Sequence, residues 1–218
     1  MKIIILIILS YLLGSISGSL LIGKFKNIDI RTMGSGNAGG TNALRSVGPL
    51  FALGTIIIDV FKGYIPVALF ANFIKLNELG FQFNMIDWAP ILFGTAAVLG
   101  HVYPIYYNFK GGKGAGTLIG VVAAIFPESI LYVVLVWIIS LVLTGYVGFS
   151  TMLAGIALTI YTYFYYINSI FSPFGYFTIG VSMFLIYTHR ENIIRMINGQ
   201  ENQFEKVMIV KKIFSKNS

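Results

Sequence analysis

The sequence has 218 residues, of which 56% are hydrophobic and only 11% are charged, and its mean hydropathy is +0.81. Soluble domains carry roughly 25% charged residues, so this composition excludes an ordinary water-soluble protein and predicts an integral membrane protein. The formal net charge of +7 indicates loops that face an anionic membrane surface or an anionic substrate rather than nucleic acid, and the absence of cysteine excludes disulfides and thiol chemistry.

Six apolar stretches have the length and composition of membrane-spanning helices. In chain order they are residues 3–23, 50–73, 88–107, 131–147, 151–167 and 174–188. The first stretch follows Lys2 in the manner of a signal peptide, but its length favours a retained span. A further apolar stretch, 115–126, is short, and it is either a short spanning helix or a re-entrant segment.

The distribution of positive charge tests the number of spans. If 115–126 crosses the membrane, about seven helices result, and most lysines and arginines fall on one side. That side holds Lys24, Lys26, Arg31, Arg45, Lys110, Lys113, Arg190, Arg195, Lys206, Lys211, Lys212 and Lys216. The other side holds Lys2 and Lys75 with Glu78, Asp87 and Glu128. The positive-inside rule then places the N-terminus outside and the C-terminus in the cytoplasm, whereas a six-span alternative would place the basic tail outside.

The predicted fold is therefore an all-α integral membrane protein with about seven transmembrane helices, one or two of them short. No hydrophilic stretch is long enough to form a second domain, so residues 1–218 are predicted to form one polytopic domain. The polar, basic residues from about 198 to 218 are predicted to form a flexible tail.

The loop after the first span, residues 33–45 (the first loop), combines glycines with polar side chains and an arginine. It contains the spacing Gly34-x-Gly36-x-x-Gly39, but no strand precedes it, which argues against a dinucleotide-binding fold. Backbone N–H groups, hydroxyls, amides and a guanidinium are the components of a phosphate-binding loop, and the alternative is a plain flexible connection. The candidate ligands are Ser35, Gly36, Asn37, Gly39, Thr41, Asn42 and Arg45.

A second glycine-rich segment, residues 109–114 (the second loop), follows the third span and precedes the short apolar stretch. It is not a Walker loop, because Gly114 stands where that motif needs Ser or Thr. Two lysines among glycines before a helix still suit an anion, and the alternative is lysines that reach to lipid head groups. The candidates here are Lys110, Gly111, Gly112, Lys113 and Gly114.

Three polar residues lie inside predicted spans. Asp59 and Lys62 are three residues apart on one helix face, and charges in a span are costly, so the two are expected to pair. That pair is either structural or in contact with substrate. His101 is predicted to be a satisfied polar contact rather than a base, and all three are further site candidates.

The last candidates lie towards the C-terminus. Ser150 falls in the connection between two spans, and His189 and Asn192 follow the last span. One helical turn would place the His189 imidazole beside the Asn192 amide, although an interfacial basic belt would give the same pattern. The chain has only two histidines, far apart, so neither a metal site nor another cofactor is predicted.

These motifs, in this order, resemble the bacterial acyl-phosphate:glycerol-3-phosphate acyltransferases, the PlsY family. The resemblance covers nearly the whole chain and departs from the family's pattern at Ala38 and Gly40, where Pro and Ala are common. It implies transfer of a fatty acyl group from acyl phosphate to the sn-1 hydroxyl of glycerol 3-phosphate. The products are lysophosphatidic acid and phosphate, formed at the cytoplasmic face of the bacterial plasma membrane.

The resemblance also implies roles for individual residues. Ser35, Arg45, Ser150, His189 and Asn192 would be catalytic, and the lysines and glycines of the second loop would contact phosphate. The expected partners are glycerol 3-phosphate, acyl phosphate and membrane lipid, without nucleic acid, and no oligomeric state is indicated. The proton acceptor is either His189 or a substrate phosphate. The competing function is a small transporter or channel for an organic or phosphate anion, which predicts an internal repeat and charges near the midplane.

Overall fold

The computed structural model describes residues 2–76, 83–166 and 169–208, and every regular element within these ranges is helical. This confirms the predicted all-α class. The chain divides into two compact units between Pro127 and Glu128. The predicted end of a span at Ile167, together with Glu78 and the lysines Lys211, Lys212 and Lys216, lies outside the described residues.

Within the described residues, the first unit contains seven α-helices. They are α1 (Lys2–Gly14), α2 (Gly18–Lys26), α3 (Gly40–Ser46), α4 (Pro49–Ile65), α5 (Ala71–Leu76), α6 (Phe83–Val102) and α7 (Ala115–Ile125). Proline at the first position of α4 suits a helix start, because its missing N–H would have no partner there. At the other end of α4, Pro66 opens a π-helical turn, Pro66–Phe70, that leads into α5. Short 3-10 turns form at Ile30–Thr32 and Ile105–Tyr107.

The first predicted span is broken. Helices α1 and α2 meet at an angle of 47° across residues 15–17, where a continuous helix was predicted. Serines compete with the helix for backbone hydrogen bonds, and the Ser15 hydroxyl donates to the Tyr11 carbonyl at 2.9 Å. A break in a span frees backbone groups, which must find partners in neighbouring helices.

Glycines allow the helices of the first unit to approach closely. A Cβ on Gly14 would overlap the Ala97 backbone, and one on Gly100 would overlap the Tyr11 carbonyl, so α1 and α6 touch through their backbones. In the same way, Gly63 and Gly120 bring α4 and α7 together. Small residues at such crossings are typical of helix packing in membranes. The short α7 is therefore covered on one side by α4.

The second unit contains α8 (Glu128–Thr144), α9 (Val147–Tyr165), α10 (Pro173–Thr188) and α11 (Arg190–Ile197), with 3-10 turns at Ser169–Phe171 and Glu205–Val207. Ser172 caps α10 by accepting a hydrogen bond from the Gly175 N–H at 2.9 Å. Polar contacts join α9 to α10: the Ser182 hydroxyl lies 2.8 Å from the Gly155 carbonyl and 2.9 Å from the Thr159 hydroxyl.

Three helical stretches of the described chain are long and apolar enough to cross a membrane: Pro49–Phe73, Asp87–Tyr107 and Val147–Tyr165. The bent pair α1 and α2 would make a fourth, and α7, α8 and α10 are apolar but shorter. The predicted boundaries at residues 147 and 151 need correction, because α8 ends at Thr144 and α9 begins at Val147. Gly145, with a φ of 74°, makes that turn. The count of seven spans stays a prediction.

Candidate functional site

Asn42 organises the first loop. Its side-chain amide lies within hydrogen-bond distance of the carbonyls of Ile30, Met33 and Asn37, at 2.9–3.1 Å. Its Oδ1 accepts the Ser35 N–H at 3.0 Å. Asn42 is buried. The amide that the sequence suggests as a phosphate ligand is thus used to shape the loop, together with the Ser35 N–H.

The first loop turns through glycines and ends in a helix. Gly34 and Gly36 have φ values of 55° and 71°, which glycine adopts without strain. A Cβ on Gly34 would also overlap the Asn42 side chain. The sequence predicts a loop up to residue 45, whereas α3 begins at Gly40, directly after Gly39 as its N-cap. The candidates Thr41, Asn42 and Arg45 therefore stand on a helix.

The second loop closes the end of α6. Gly111 and Gly112 donate their N–H groups to the Val102 and His101 carbonyls, at 3.3 and 3.2 Å. A Cβ on Gly111 would overlap the His101 carbonyl, and one on Gly112 would overlap His101 Nε2. These two glycines are needed for close approach to α6, and their N–H groups are already bonded to protein. The sequence suggests both glycines as phosphate contacts, and that role stays a prediction.

The two loops meet at a cavity of about 420 Å³. It is lined by Asp29, Arg31, Gly36, Asn108, Lys110 and Gly111. The structure thus brings together Gly36 of the first loop and Lys110 of the second, which the sequence placed 74 positions apart. The sequence indicated Arg31 only as one of the positive charges on the cytoplasmic side. Asp29 and Asn108 were not predicted as site residues.

Asp29 and Arg31 form an exposed ion pair at the cavity. Arg31 Nη2 lies 2.7 Å from Asp29 Oδ2, and Arg31 Nε donates to Asp29 Oδ1 at 3.0 Å. The hydrogen bond from Arg31 holds the pKa of Asp29 below its ordinary value, and Asp29 raises the pKa of Arg31. Both groups are therefore ionised at neutral pH and cancel in charge. Lys110 supplies the net positive charge of the cavity lining.

Asp59 and Lys62 form the ion pair that their spacing predicts. Lys62 Nζ lies 2.9 Å from Asp59 Oδ1, and each side chain is only 4% exposed. Their remaining contacts reach the break between α1 and α2: Lys62 Nζ donates to the Ile16 carbonyl at 2.7 Å, and Asp59 Oδ1 accepts the Gly18 N–H at 3.2 Å. His101 Nδ1 lies 3.6 Å from the same carboxylate oxygen.

Ser150 lies within the second unit, on α9 rather than in a connection as predicted. It is fully buried, and its hydroxyl donates to the Tyr146 carbonyl at 2.9 Å. Two residues earlier, a Cβ on Gly148 would lie 3.1 Å from the Asn192 side chain. Glycine at this position lets the start of α9 pack directly against α11. The structure therefore brings Asn192 to the helical turn that carries Ser150.

His189 stands between α10 and α11 and is buried. Its Nδ1 lies 2.8 Å from the Leu185 carbonyl. A carbonyl only accepts, so Nδ1 carries the hydrogen and Nε2 is the ring nitrogen that can accept a proton. Asn192 follows one turn later, and its Nδ2 donates to Glu201 Oε1 at 2.8 Å.

Glu201 is a residue that the sequence analysis missed. Its second oxygen accepts from Arg195 Nε at 2.7 Å, and its side chain is only 5% exposed. The chain beyond it is also attached, since the Phe204 N–H donates to the Gly145 carbonyl at 2.9 Å and Met208 is buried. Up to residue 208, the predicted flexible tail is therefore held against the second unit. The available signal was that Glu201 and Glu205 are acidic residues in an otherwise basic tail.

Among the residues with described positions, no group of three or more His, Asp or Glu side chains is arranged to hold a metal ion.

Comparison with known proteins gives one consistent result. A family model described as glycerol-3-phosphate acyltransferase matches residues 4–199. The glycerol-3-phosphate acyltransferase of Aquifex aeolicus is 36% identical over 206 residues, covering 94% of this chain and 100% of the relative. The Bacillus subtilis protein of that name is 42% identical over 205 residues, covering 92% and 97%.

Solved structures agree with the sequence relatives. The crystal structure of PlsY (YgiH), an integral membrane glycerol 3-phosphate acyltransferase in its glycerol 3-phosphate form, matches with a TM-score of 0.82. The two sequences are 34% identical, and the match covers 95% of this chain and 98% of that one. The lysophosphatidic acid form gives a TM-score of 0.81 at 34% identity, covering 96% and 99%.

Proposed function

Since this chain belongs to the glycerol-3-phosphate acyltransferase family, we propose that it transfers a fatty acyl group from acyl phosphate to the sn-1 hydroxyl of glycerol 3-phosphate. The products are lysophosphatidic acid and phosphate, and the reaction belongs to phospholipid synthesis in a bacterial membrane. The related PlsY has been solved in glycerol 3-phosphate and lysophosphatidic acid forms, which supports this acceptor and product. Membership of this family favours an acyltransferase over the alternative function of an anion transporter.

The cavity between the first and second loops carries the proposal. Its volume of about 420 Å³ has room for a small phosphate ester, and Lys110 gives its lining a net positive charge. Its lining residues are charged, amide-bearing or glycine, which suits a hydrophilic dianion better than a fatty chain. We therefore assign the phosphate of glycerol 3-phosphate to this cavity, with Lys110 and Arg31 as its cationic contacts.

Acyl phosphate is a mixed anhydride, so the enzyme has mainly to position the reactants and stabilise charge. The acceptor hydroxyl attacks the acyl carbon, a new ester bond forms, and the bond to the phosphate oxygen breaks with its electrons leaving on phosphate. Arg45 and Lys113 are assigned to the negative charge of the leaving phosphate. The hydroxyl proton passes either to His189 Nε2 or to a substrate phosphate.

Direct transfer is favoured over an acylated serine. The Ser150 hydroxyl hydrogen is directed at the Tyr146 carbonyl, which is a poor base and cannot activate an oxygen nucleophile. Ser35 is exposed on the first loop, where its hydroxyl suits hydrogen bonding to substrate. Ser35, Ser150 and Asn192 are accordingly assigned as hydrogen-bonding and positioning groups.

The test is an assay of purified protein in detergent with a long-chain acyl phosphate. Lysophosphatidic acid and phosphate should form in equal amounts, and only when glycerol 3-phosphate is present. The same fatty acyl group supplied as acyl-CoA is the matched control and should give no lysophosphatidic acid. Equal turnover with acyl-CoA, or phosphate release without the acceptor, would contradict the proposed reaction.

A further inference from the structure

The pair Asp59 and Lys62 has no role in the proposed chemistry, yet it is buried within an apolar helix. Each side chain is 4% exposed, and burying two charges costs more than burying apolar residues of the same size. What distinguishes the pair is its set of partners. Both side chains bond to the backbone on either side of the break between α1 and α2, at Ile16 and Gly18.

That break leads to the first loop. One residue beyond Gly18, the buried Ser19 hydroxyl donates to the Ala38 carbonyl at 2.6 Å. Ala38 is fully buried and lies between Gly36 and the start of α3. The ion pair thus fixes the start of α2, and α2 in turn fixes the part of the first loop that lines the cavity.

His101 connects the same pair to the second loop. Its Nδ1 faces Asp59 at 3.6 Å, its ring lies directly against Gly112, and its carbonyl accepts the Gly112 N–H at 3.2 Å. Gly112 stands between the two lysines of the second loop. The position of the His101 ring therefore sets the position of the turn that carries Lys110.

We propose that Asp59, Lys62 and His101 form a positioning cluster. The cluster fixes the positions of the first and second loops relative to each other at the anion-binding cavity. None of the three lines the cavity itself, so they act through the lining residues Gly36, Lys110 and Gly111. This inference rests on the proposed function, because it assigns the cluster to the binding of glycerol 3-phosphate. It predicts an effect on the KM for glycerol 3-phosphate that exceeds any effect on kcat.

Lys62→Met tests the cluster, because methionine keeps much of the length of the side chain and removes the ammonium group. We expect the KM for glycerol 3-phosphate to rise at least about tenfold, while kcat per folded molecule changes less than about threefold. Thr55→Val is the matched control on the same helix. Thr55 is fully buried and its hydroxyl donates to the Phe51 carbonyl of the same helix, so this variant should lose thermal stability without a change in KM.

A second set of variants tests the His101 contact if Lys62→Met does not fold. Gly112→Ala should raise the KM for glycerol 3-phosphate, because its Cβ would overlap His101 Nε2. Adding His101→Ala removes that ring, and the double variant should regain part of the lost affinity. Wild-type turnover in the same assay tests the proposed function separately. A lowered melting temperature with a wild-type KM in Lys62→Met, or no recovery in the double variant, would overturn the positioning role.

Discussion

Arg45 is a residue at which charge and shape can be separated by substitution. It lies exposed in the last turn of α3, and its assigned partner is a phosphate. Arg45→Lys keeps the charge but loses the planar fork that binds two phosphate oxygens at once. We expect a loss of about 1.5–3 kcal/mol in transition-state binding, or roughly ten- to more than a hundredfold in kcat/KM. If folded Arg45→Lys protein keeps a near wild-type kcat/KM, Arg45 does not bind phosphate through its guanidinium group and contributes only positive charge to the cytoplasmic side.

His189 distinguishes the two routes for the proton. The Leu185 carbonyl holds the hydrogen on Nδ1 and leaves Nε2 as the basic nitrogen. His189→Ala should lower kcat by about 10²–10⁴-fold if Nε2 accepts the hydroxyl proton. A smaller loss, with an unchanged pH profile of kcat, would favour a substrate phosphate as the acceptor. The folded fraction of the variant, measured by thermal melting, is the control.

Residue types predict which groups could bind phosphate. They do not predict which of those groups are already hydrogen-bonded within the protein. Asn42, Gly111 and Gly112 have groups suited to phosphate, but in the structure those groups complete the loop and the end of α6. Such hydrogen bonds depend on the folded path of the backbone, which spacing does not encode. Conversely, Arg31 joins the cavity only because the folded chain returns at Asn108 and Lys110.

At the scale of elements, the segment after α11 is held by one buried acid. Glu201 bonds both Asn192 and Arg195. Glu201→Gln removes the negative charge and leaves Asn192 facing an amide, so we expect the free energy of unfolding to fall by about 1.5–3 kcal/mol. Turnover should fall as well, because Asn192 loses its anchor. The matched control is Glu191→Gln, a change on the exposed face of α11.

Thermal melting and kcat of the two variants decide this point. Equal melting temperatures for Glu201→Gln and Glu191→Gln would contradict the anchoring role of Glu201. A large drop in stability with unchanged kcat per folded molecule would show that Asn192 does not need the anchor for catalysis.

Element types were predictable from apolar length, but element ends depended on local competition for hydrogen bonds. The break at residues 15–17 follows from Ser15, whose hydroxyl bonds to the Tyr11 carbonyl, and from an ion pair on α4 that bonds to the freed backbone groups. The start of α3 inside the first loop depends on the Asn42 contacts. Neither arrangement has a periodic signature in the sequence.

For the whole molecule, composition predicted a membrane protein and the length of the apolar stretches predicted helices, while the sidedness of the loops rests on charge. The natural absence of cysteine permits a direct test with single cysteines at exposed sites. We expect membrane-impermeant thiol reagents to label cysteine variants of Lys110 and Arg190 only from the cytoplasm, and variants of Asp87 and Glu128 only from outside. Labelling of the Lys110 and Glu128 variants from one side would make α7 re-entrant and contradict seven spans.

We propose that the first and second loops form the phosphate site of this acyltransferase. A crystal structure of the protein with glycerol 3-phosphate tests it most directly. We expect the phosphate to lie in the cavity lined by Arg31, Gly36 and Lys110, within hydrogen-bond distance of the Lys110 ammonium group. A glycerol 3-phosphate molecule bound at another place, with this cavity holding only water, would contradict it.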